Sequence, residues 1–159
     1  MIFFSKHKPP SNPLLSSQLF NEKSFFQAFN RDLEKCEKEV IIESPYITKA
    51  RMKIIMPIFE RLLEKEVLIY VITRNPKEHD HFLEEQSEFE IRNFEAIGVH
   101  TLLCPGNHHR KLAILDRNIL WEGSLNILSQ TRSREIMRRI ESHELAEQMF
   151  NFLNLGRAI

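Results

Sequence analysis

Apolar residues along the chain follow two spacings in turn, and each spacing predicts a different element. In "NEKSFFQAFNRDLEKCEKE" Phe25, Phe26, Phe29 and Leu33 recur every three or four residues, which puts them on one face of a helix that should pack on a sheet. "VIIES" follows as a short buried strand, stopped by Pro45. From Ala50 to Glu64 the helical spacing returns through Ile54, Ile55, Ile58, Phe59 and Leu62; Pro57 lies inside and lacks an N–H, predicting a kink or a late start. "VLIYVITR" is an uninterrupted β-branched and aromatic run, the pattern of a strand covered on both faces. An acidic helix from about His81 to Ile97 is then closed by Gly98.

Four further short strands are predicted, in "VHTLLC", "KLAILD", "ILWEG" and "REIMRRI", before a last helix from about His143 to Leu153. Alternating units with short connections imply an α/β fold, a mixed β-sheet flanked by helices on both faces. Residues 1–20, with Pro9, Pro10, Pro13 and several serines, read as an irregular N-terminal arm, and residues 21–159 as one domain. No internal repeat interrupts that domain.

The length of 159 residues suits a single domain with a real core, and 42% hydrophobic with 28% charged residues argues against disorder. No apolar run approaches the roughly 18 residues needed to span a bilayer, and "MIFFSKHKPP" lacks the features of a secretory signal, so a cytoplasmic protein without membrane association is expected. Cys36 and Cys104 have no CxxC spacing, which makes a disulfide framework or zinc knuckle an unsuitable reading. Trp121 is expected in the core.

Charge changes this picture only locally. The 22 basic and 22 acidic residues cancel, yet between Asn107 and Ile140 seven Lys/Arg face three acids, whereas Glu78 to Glu95 holds seven acids and one Arg. A polyanion would therefore be drawn to one region. That region contains "HHRKLAILDRNILWEGSLN", His108 to Asn126. On a strand, His109 and Lys111 would share a face while Leu112 and Ile114 face the core. A fixed cation beside an imidazole favours its neutral, nucleophilic form, and an ammonium can also hold a phosphate oxygen. Asp116 opens a turn with Arg117 and Asn118; Gly123 permits close backbone approach, and Ser124 and Asn126 can hydrogen-bond non-bridging oxygens. Asp116 differs in strand parity from His109 and Lys111, so it is expected to stabilise the turn.

His109-x-Lys111, four residues, Asp116, six residues, then Gly123-Ser124-x-Asn126 resembles the HxKx4Dx6GSxN signature of the phospholipase D superfamily at every fixed position and spacing. The resemblance implies a phospholipase D-like catalytic domain over residues 21–159. His109 would attack phosphorus and form a covalent phosphohistidine; Lys111, Ser124 and Asn126 would bind phosphoryl oxygens. A downstream acid, best placed at Glu135, would hydrogen-bond the second ring nitrogen of His109. No metal or other cofactor is implied, because lysine and amide groups supply the charge stabilisation. The family's chemistry uses two such histidines, and none of the other histidines here is followed at the second position by Lys. A homodimer joining two copies of His109 across a shared cleft supplies the second, as in the family's small single-motif nucleases.

The expected function is thus a metal-independent nuclease, with DNA preferred over RNA, and with Arg110, Arg132, Arg134 and Arg138 as candidate nucleic-acid contacts or ordinary solvated side chains. His108 reads as an exposed loop residue, and Glu43 and Tyr46, just after a strand, as cleft-lining groups or part of a structural loop. Two other functions fit the motif: a non-catalytic nucleic-acid-binding module of a larger helicase or restriction protein, and a phospholipid hydrolase.

Overall fold

The computed structural model describes residues 12–129 and 132–159. Its strands are β1 (Gln18–Asn21), β2 (Glu39–Glu43), β3 (Leu68–Arg74), β4 (His100–Cys104), β5 (Leu112–Leu115), β6 (Ile119–Gly123) and β7 (Ile136–Glu141); the helices are α1 (Phe25–Leu33), α2 (Lys49–Glu64), α3 (His81–Ile97) and α4 (His143–Phe152). One sheet contains all seven strands in the order β1-β7-β6-β5-β2-β3-β4. β2, β3 and β4 are parallel, whereas β5, β6, β7 and β1 pair antiparallel to their neighbours, so the sheet is mixed as the pattern of elements predicted.

Period-two alternation splits the core between the two faces. Val40 and Ile42 point toward α1, α2 and α3, where they meet Phe25, Phe29, Ile55, Phe59 and Phe94. Ile41, between them, points to the opposite face, which α4 closes with Ala146 and Phe150 over Leu112, Ile114, Leu120 and Ile140. Trp121 is fully buried, with Phe20, Phe25 and Phe29 rings 4.9, 5.3 and 6.0 Å away. Its indole N–H donates to Asp32 at 3.0 Å, and Asp32 also receives Arg139 at 2.6 Å, so one carboxylate ties α1 to β6 and β7.

Helix ends follow local chemistry. Asp80 caps α3 by accepting from the Leu83 N–H at 3.0 Å, Gly98 ends it with a left-handed φ of 102°, and Ser142 caps α4 through the Leu145 N–H at 3.2 Å. Among the described residues no helix is long and apolar enough to cross a membrane.

Three expectations are corrected. The N-terminal arm does not stay irregular to residue 20: Gln18–Asn21 forms edge strand β1, paired with β7. That strand is short and largely exposed, so it has no buried face to leave a period in the sequence. Met1–Ser11, with Pro9 and Pro10, lies outside the described residues. Second, α2 does not start late: it begins at Lys49 and runs as helix through Pro57 to Glu64. Pro57 and Lys53, whose carbonyl loses its intrahelical donor, both sit on the exposed side, where water can satisfy it. Third, β5 begins at Leu112, so His109 and Lys111 lie in the loop leading into the strand.

The β5–β6 hairpin turns through Asp116 and Arg117, both at positive φ (50° and 52°). The Asp116 carboxylate accepts from three consecutive backbone N–H groups, Glu37 (2.9 Å), Lys38 (2.8 Å) and Glu39 (2.9 Å), and its own N–H donates to the Glu39 carbonyl at 2.8 Å. Hydrogen bonds to a charged acceptor are among the stronger ones. Asp116→Ala is expected to cost about 2 kcal/mol of unfolding free energy in urea titration; an unchanged midpoint would show that the turn does not depend on this carboxylate.

Candidate active site

The carboxyl ends of β2, β3 and β4 meet the amino end of β5, and the segment 106–111 crosses there. The backbone of this segment is stapled to the loop after β3. Glu78 accepts from the Gly106 and Asn107 N–H groups at 2.7 and 3.0 Å, while Arg74 donates to Glu78 at 3.2 Å and to the Asn107 side chain at 2.6 Å. Although it precedes β5, the segment still enters the ladder, with Gly123 N–H donating to the Lys111 carbonyl at 3.4 Å. His109, Arg110 and Lys111 line a cleft of roughly 710 Å³, whereas the His108 side chain reaches back to Glu43.

Lys111 Nζ lies 2.6 Å from His109 Nδ1 and 3.4 Å from Nε2, and it donates to the His109 carbonyl at 2.7 Å. An ammonium has no lone pair, so the nearer ring nitrogen must be unprotonated to accept from it. His109 consequently titrates below the ordinary imidazole value, first because burial disfavours the charged ring, then because Lys111 and Arg74 add positive charge; Glu135 acts in the opposite direction. Lys111 is also lowered, by burial, again with Glu135 opposing. The arrangement keeps a neutral imidazole and a cation in contact.

Across the cleft stand Gly123, Ser124, Asn126 and Glu135. A Cβ on Gly123 would come 2.2 Å from the Ile136 carbonyl oxygen and 2.9 Å from Met137 Cα, so only glycine lets β6 pass β7 here. The Ser124 hydroxyl accepts from the Ile136 N–H at 3.1 Å, and the Ser124 N–H donates to the Ile136 carbonyl at 2.9 Å. Ser124 thus binds the end of β6 to the start of β7. Among the described residues Asn126 Oδ1 is buried without a hydrogen-bond partner, so at that atom none of them fixes the amide. Glu135 accepts from Ser133 at 3.0 Å, and among the described residues its expected hydrogen bond to His109 is absent. It acts on the imidazole through charge, because Lys111 occupies the ring edge.

The loop after Asn126 is held by residues the motif does not include. Arg51, 1% exposed, donates to the Ile127 carbonyl at 3.0 Å and to Asn30 at 2.8 Å; burial without a carboxylate lowers it to about 9. Ser44 Oγ accepts from the Leu128 N–H at 3.1 Å, and Thr48 N–H donates to the Leu128 carbonyl at 3.0 Å. Tyr46, in the same loop, sets its ring edge-on to His109 with centroids 6.1 Å apart. The proximity of "ESPYIT" to the end of β2 is the sequence signal for this support, whereas Arg51, Arg74 and Glu78 carry none.

Two expectations about neighbouring residues change. His108 is not an exposed loop residue: its side chain is 7% exposed, with Nε2 3.4 Å from Glu43 Oε2. Arg110 is not a free contact for a polyanion, because its guanidinium grips Glu43 at 2.6 and 3.1 Å. Arg138 is hydrogen-bonded to Ser17, while Arg132 and Arg134 are exposed. Arg117 pairs with Glu39 and Glu147, and Arg139 with Asp32 and Glu141, so much of the local positive charge is balanced internally. Among the described residues no group of three or more His, Cys, Asp or Glu side chains is placed to hold a metal ion.

Fold and motif together define a phospholipase D-like domain. Residues 29–154 match the family model of the cardiolipin synthase, PLD-like domain, and the chain belongs to that family. Among solved structures, Nuc from Salmonella typhimurium, described as a phospholipase D family member, is similar with a TM-score of 0.70 and 14% identity, covering 86% of this chain and 90% of that one. Phosphatidylserine synthase from Haemophilus influenzae gives 0.72 and 14%, over 87% of this chain and 36% of that one. TrmBL2, an archaeal chromatin protein whose structure shows a novel mode of DNA binding, gives 0.59 and 11%, over 87% and 50%. No curated protein matches the chain.

Histidine-selective NMR titration tests the electrostatics. The His109 midpoint should lie below the ordinary value of about 6.5, rise in Lys111→Met and fall further in Glu135→Gln. Shifts of the opposite sign would mean that these two charges do not act on the ring as described.

Proposed function

We propose that the protein is a phosphodiesterase that cleaves nucleic acid, DNA in preference to RNA, through a covalent phosphohistidine, and that it works as a homodimer. The observation that carries this reading is the Lys111 ammonium set on a neutral His109 ring at the edge of a cleft lined also by Asn126. A phosphate entering the cleft would draw Lys111 from the imidazole, because an anion is the stronger acceptor. This leaves a ring nitrogen free to attack phosphorus. The P–N bond forms as the bond to the leaving oxygen breaks, and that oxygen takes a proton from the His109 of a second copy, which enters the step as the imidazolium. The ring so neutralised then takes a proton from water, which attacks phosphorus, breaks the P–N bond and releases the first His109. Lys111 and the Asn126 amide would stabilise the developing negative charge, so the step needs no divalent ion. Ser124, already bonded to Ile136, would hold the turn and reach phosphate only at its exposed side.

A single chain has one HxK motif, and the second copy would dock beside the cleft. An apolar groove lined by Leu120, Leu145, Met149 and Phe152 shares Met149 and Phe152 with the cleft, and Phe152 is 80% exposed. Burying that side chain against a symmetry mate would bring the two clefts together. Exposed Arg132 and Arg134, beyond Glu135, supply positive charge for a nucleic-acid backbone.

The test is cleavage of DNA and RNA panels in EDTA. The wild-type protein should cut, His109→Ala should lose cleavage by at least about a thousandfold while still binding, and mixed wild-type/His109→Ala dimers should be inactive. Binding without cleavage by the wild type would favour a nucleic-acid-binding module instead. Headgroup release from phospholipid vesicles would favour a lipid hydrolase, and full activity in a sedimenting monomer would remove the dimer.

A further inference from the structure

Glu43 ends β2 with a fully buried carboxylate. An ionised carboxylate out of water is tolerated only when charged or hydrogen-bonding partners replace its hydration. Among the described residues its ionic partner is Arg110, and His108, from the same tripeptide, packs beside it as a ring that burial keeps toward the neutral form, with Nε2 making no hydrogen bond. His108 Nε2 lies 3.4 Å from Oε2, and Arg110 donates through Nε at 2.6 Å and through Nη2 at 3.1 Å, a two-point grip in which the planar guanidinium matches the carboxylate. Between them in sequence is His109, which the carboxylate does not touch.

In an extended segment, neighbouring side chains point to opposite sides. With His108 turned toward Glu43 and the Arg110 guanidinium tied to it at the cleft margin, His109 and Lys111 are left facing the cleft. A slip of one residue would break the grip on Arg110 and carry His109 toward the carboxylate. The two-point grip makes such a slip costly, because the fork can be met only from one position along the chain. Glu43 is also remote in sequence from the motif, 67 residues before Arg110.

We propose that Glu43 is a positioning residue for His109: a buried carboxylate that grips Arg110, the residue after the nucleophile, with His108 packed beside it, and so aims the His109 ring at the cleft. The proposal rests on the phosphodiesterase reading for its kinetic consequence, and on geometry alone for its effect on the ring. Misplacing a reacting group by about an ångström is enough to slow a reaction on the order of a hundredfold.

The experiment combines kinetics and NMR on Glu43→Gln, Arg110→Gln and the double variant. With bis(p-nitrophenyl) phosphate in EDTA, each single variant should lower kcat by at least about tenfold with KM within about twofold. The double variant should be no slower than the worse single, since both break the same link. In 15N-histidine spectra the wild-type His109 ring should give one set of signals, and Glu43→Gln, with thermal melting showing it folded, should give doubled or broadened ones. A folded Glu43→Gln variant with wild-type kcat and an unchanged His109 spectrum overturns the proposal. Should Glu43→Gln not fold, Arg110→Gln carries the same two tests, its side chain being 47% exposed. If the wild type does not hydrolyse the diester, the phosphodiesterase reading fails, and the ring spectra still decide for or against Glu43.

Discussion

The Asp116 carboxylate, closed over three successive N–H groups at the entrance to β2, sets the position from which the rest of the site is measured. It fastens the tip of the β5–β6 hairpin to the strand that β5 must pair with. The antiparallel pairing that follows, Leu112 opposite Glu122 and Leu112 opposite Glu43, brings Lys111 alongside Gly123. The aspartate of the signature therefore acts at the far end of the hairpin from the cleft, through register, and its carboxylate touches backbone. Gly123 completes the geometry from the other end, because any Cβ there would collide with β7.

On this frame the site is organised by a balance of charges. Burial, Lys111 and Arg74 favour a neutral His109 and Glu135 partly offsets them, so a neutral imidazole and an ammonium coexist within hydrogen-bonding distance. Burial acts in the same direction on both, disfavouring the charged form of each. The cluster is rigid on its inner side, where Glu43, Glu78, Ser44 and Arg51 hold the loops that surround it. It is open on its outer side, toward α4 and the exposed Phe152.

The positive charge concentrated between Asn107 and Ile140 has a different meaning in three dimensions. Arg110, Arg117 and Arg139 meet carboxylates from β2, α1, α4 and β7, all but one of them distant in sequence. They lock the sheet to its helices. Lys111 in the cleft and the exposed Arg132 and Arg134 are not among the cations paired in this way.

The local pattern by itself determined the mixed α/β class, six of the seven strands, all four helices and the identity of the signature residues, because each depends on periodicity, caps or fixed spacing within a short stretch. Strand β1 was not legible: four exposed edge residues bury no face, and only pairing with β7 makes them a strand. Nor could the motif show that His108 is buried, that Arg110 is committed to Glu43, or that Lys111 takes the ring edge expected for Glu135. Those outcomes depend on carboxylates and backbone groups contributed by distant segments. The partner that each of these side chains meets is one that only the tertiary structure brings to it.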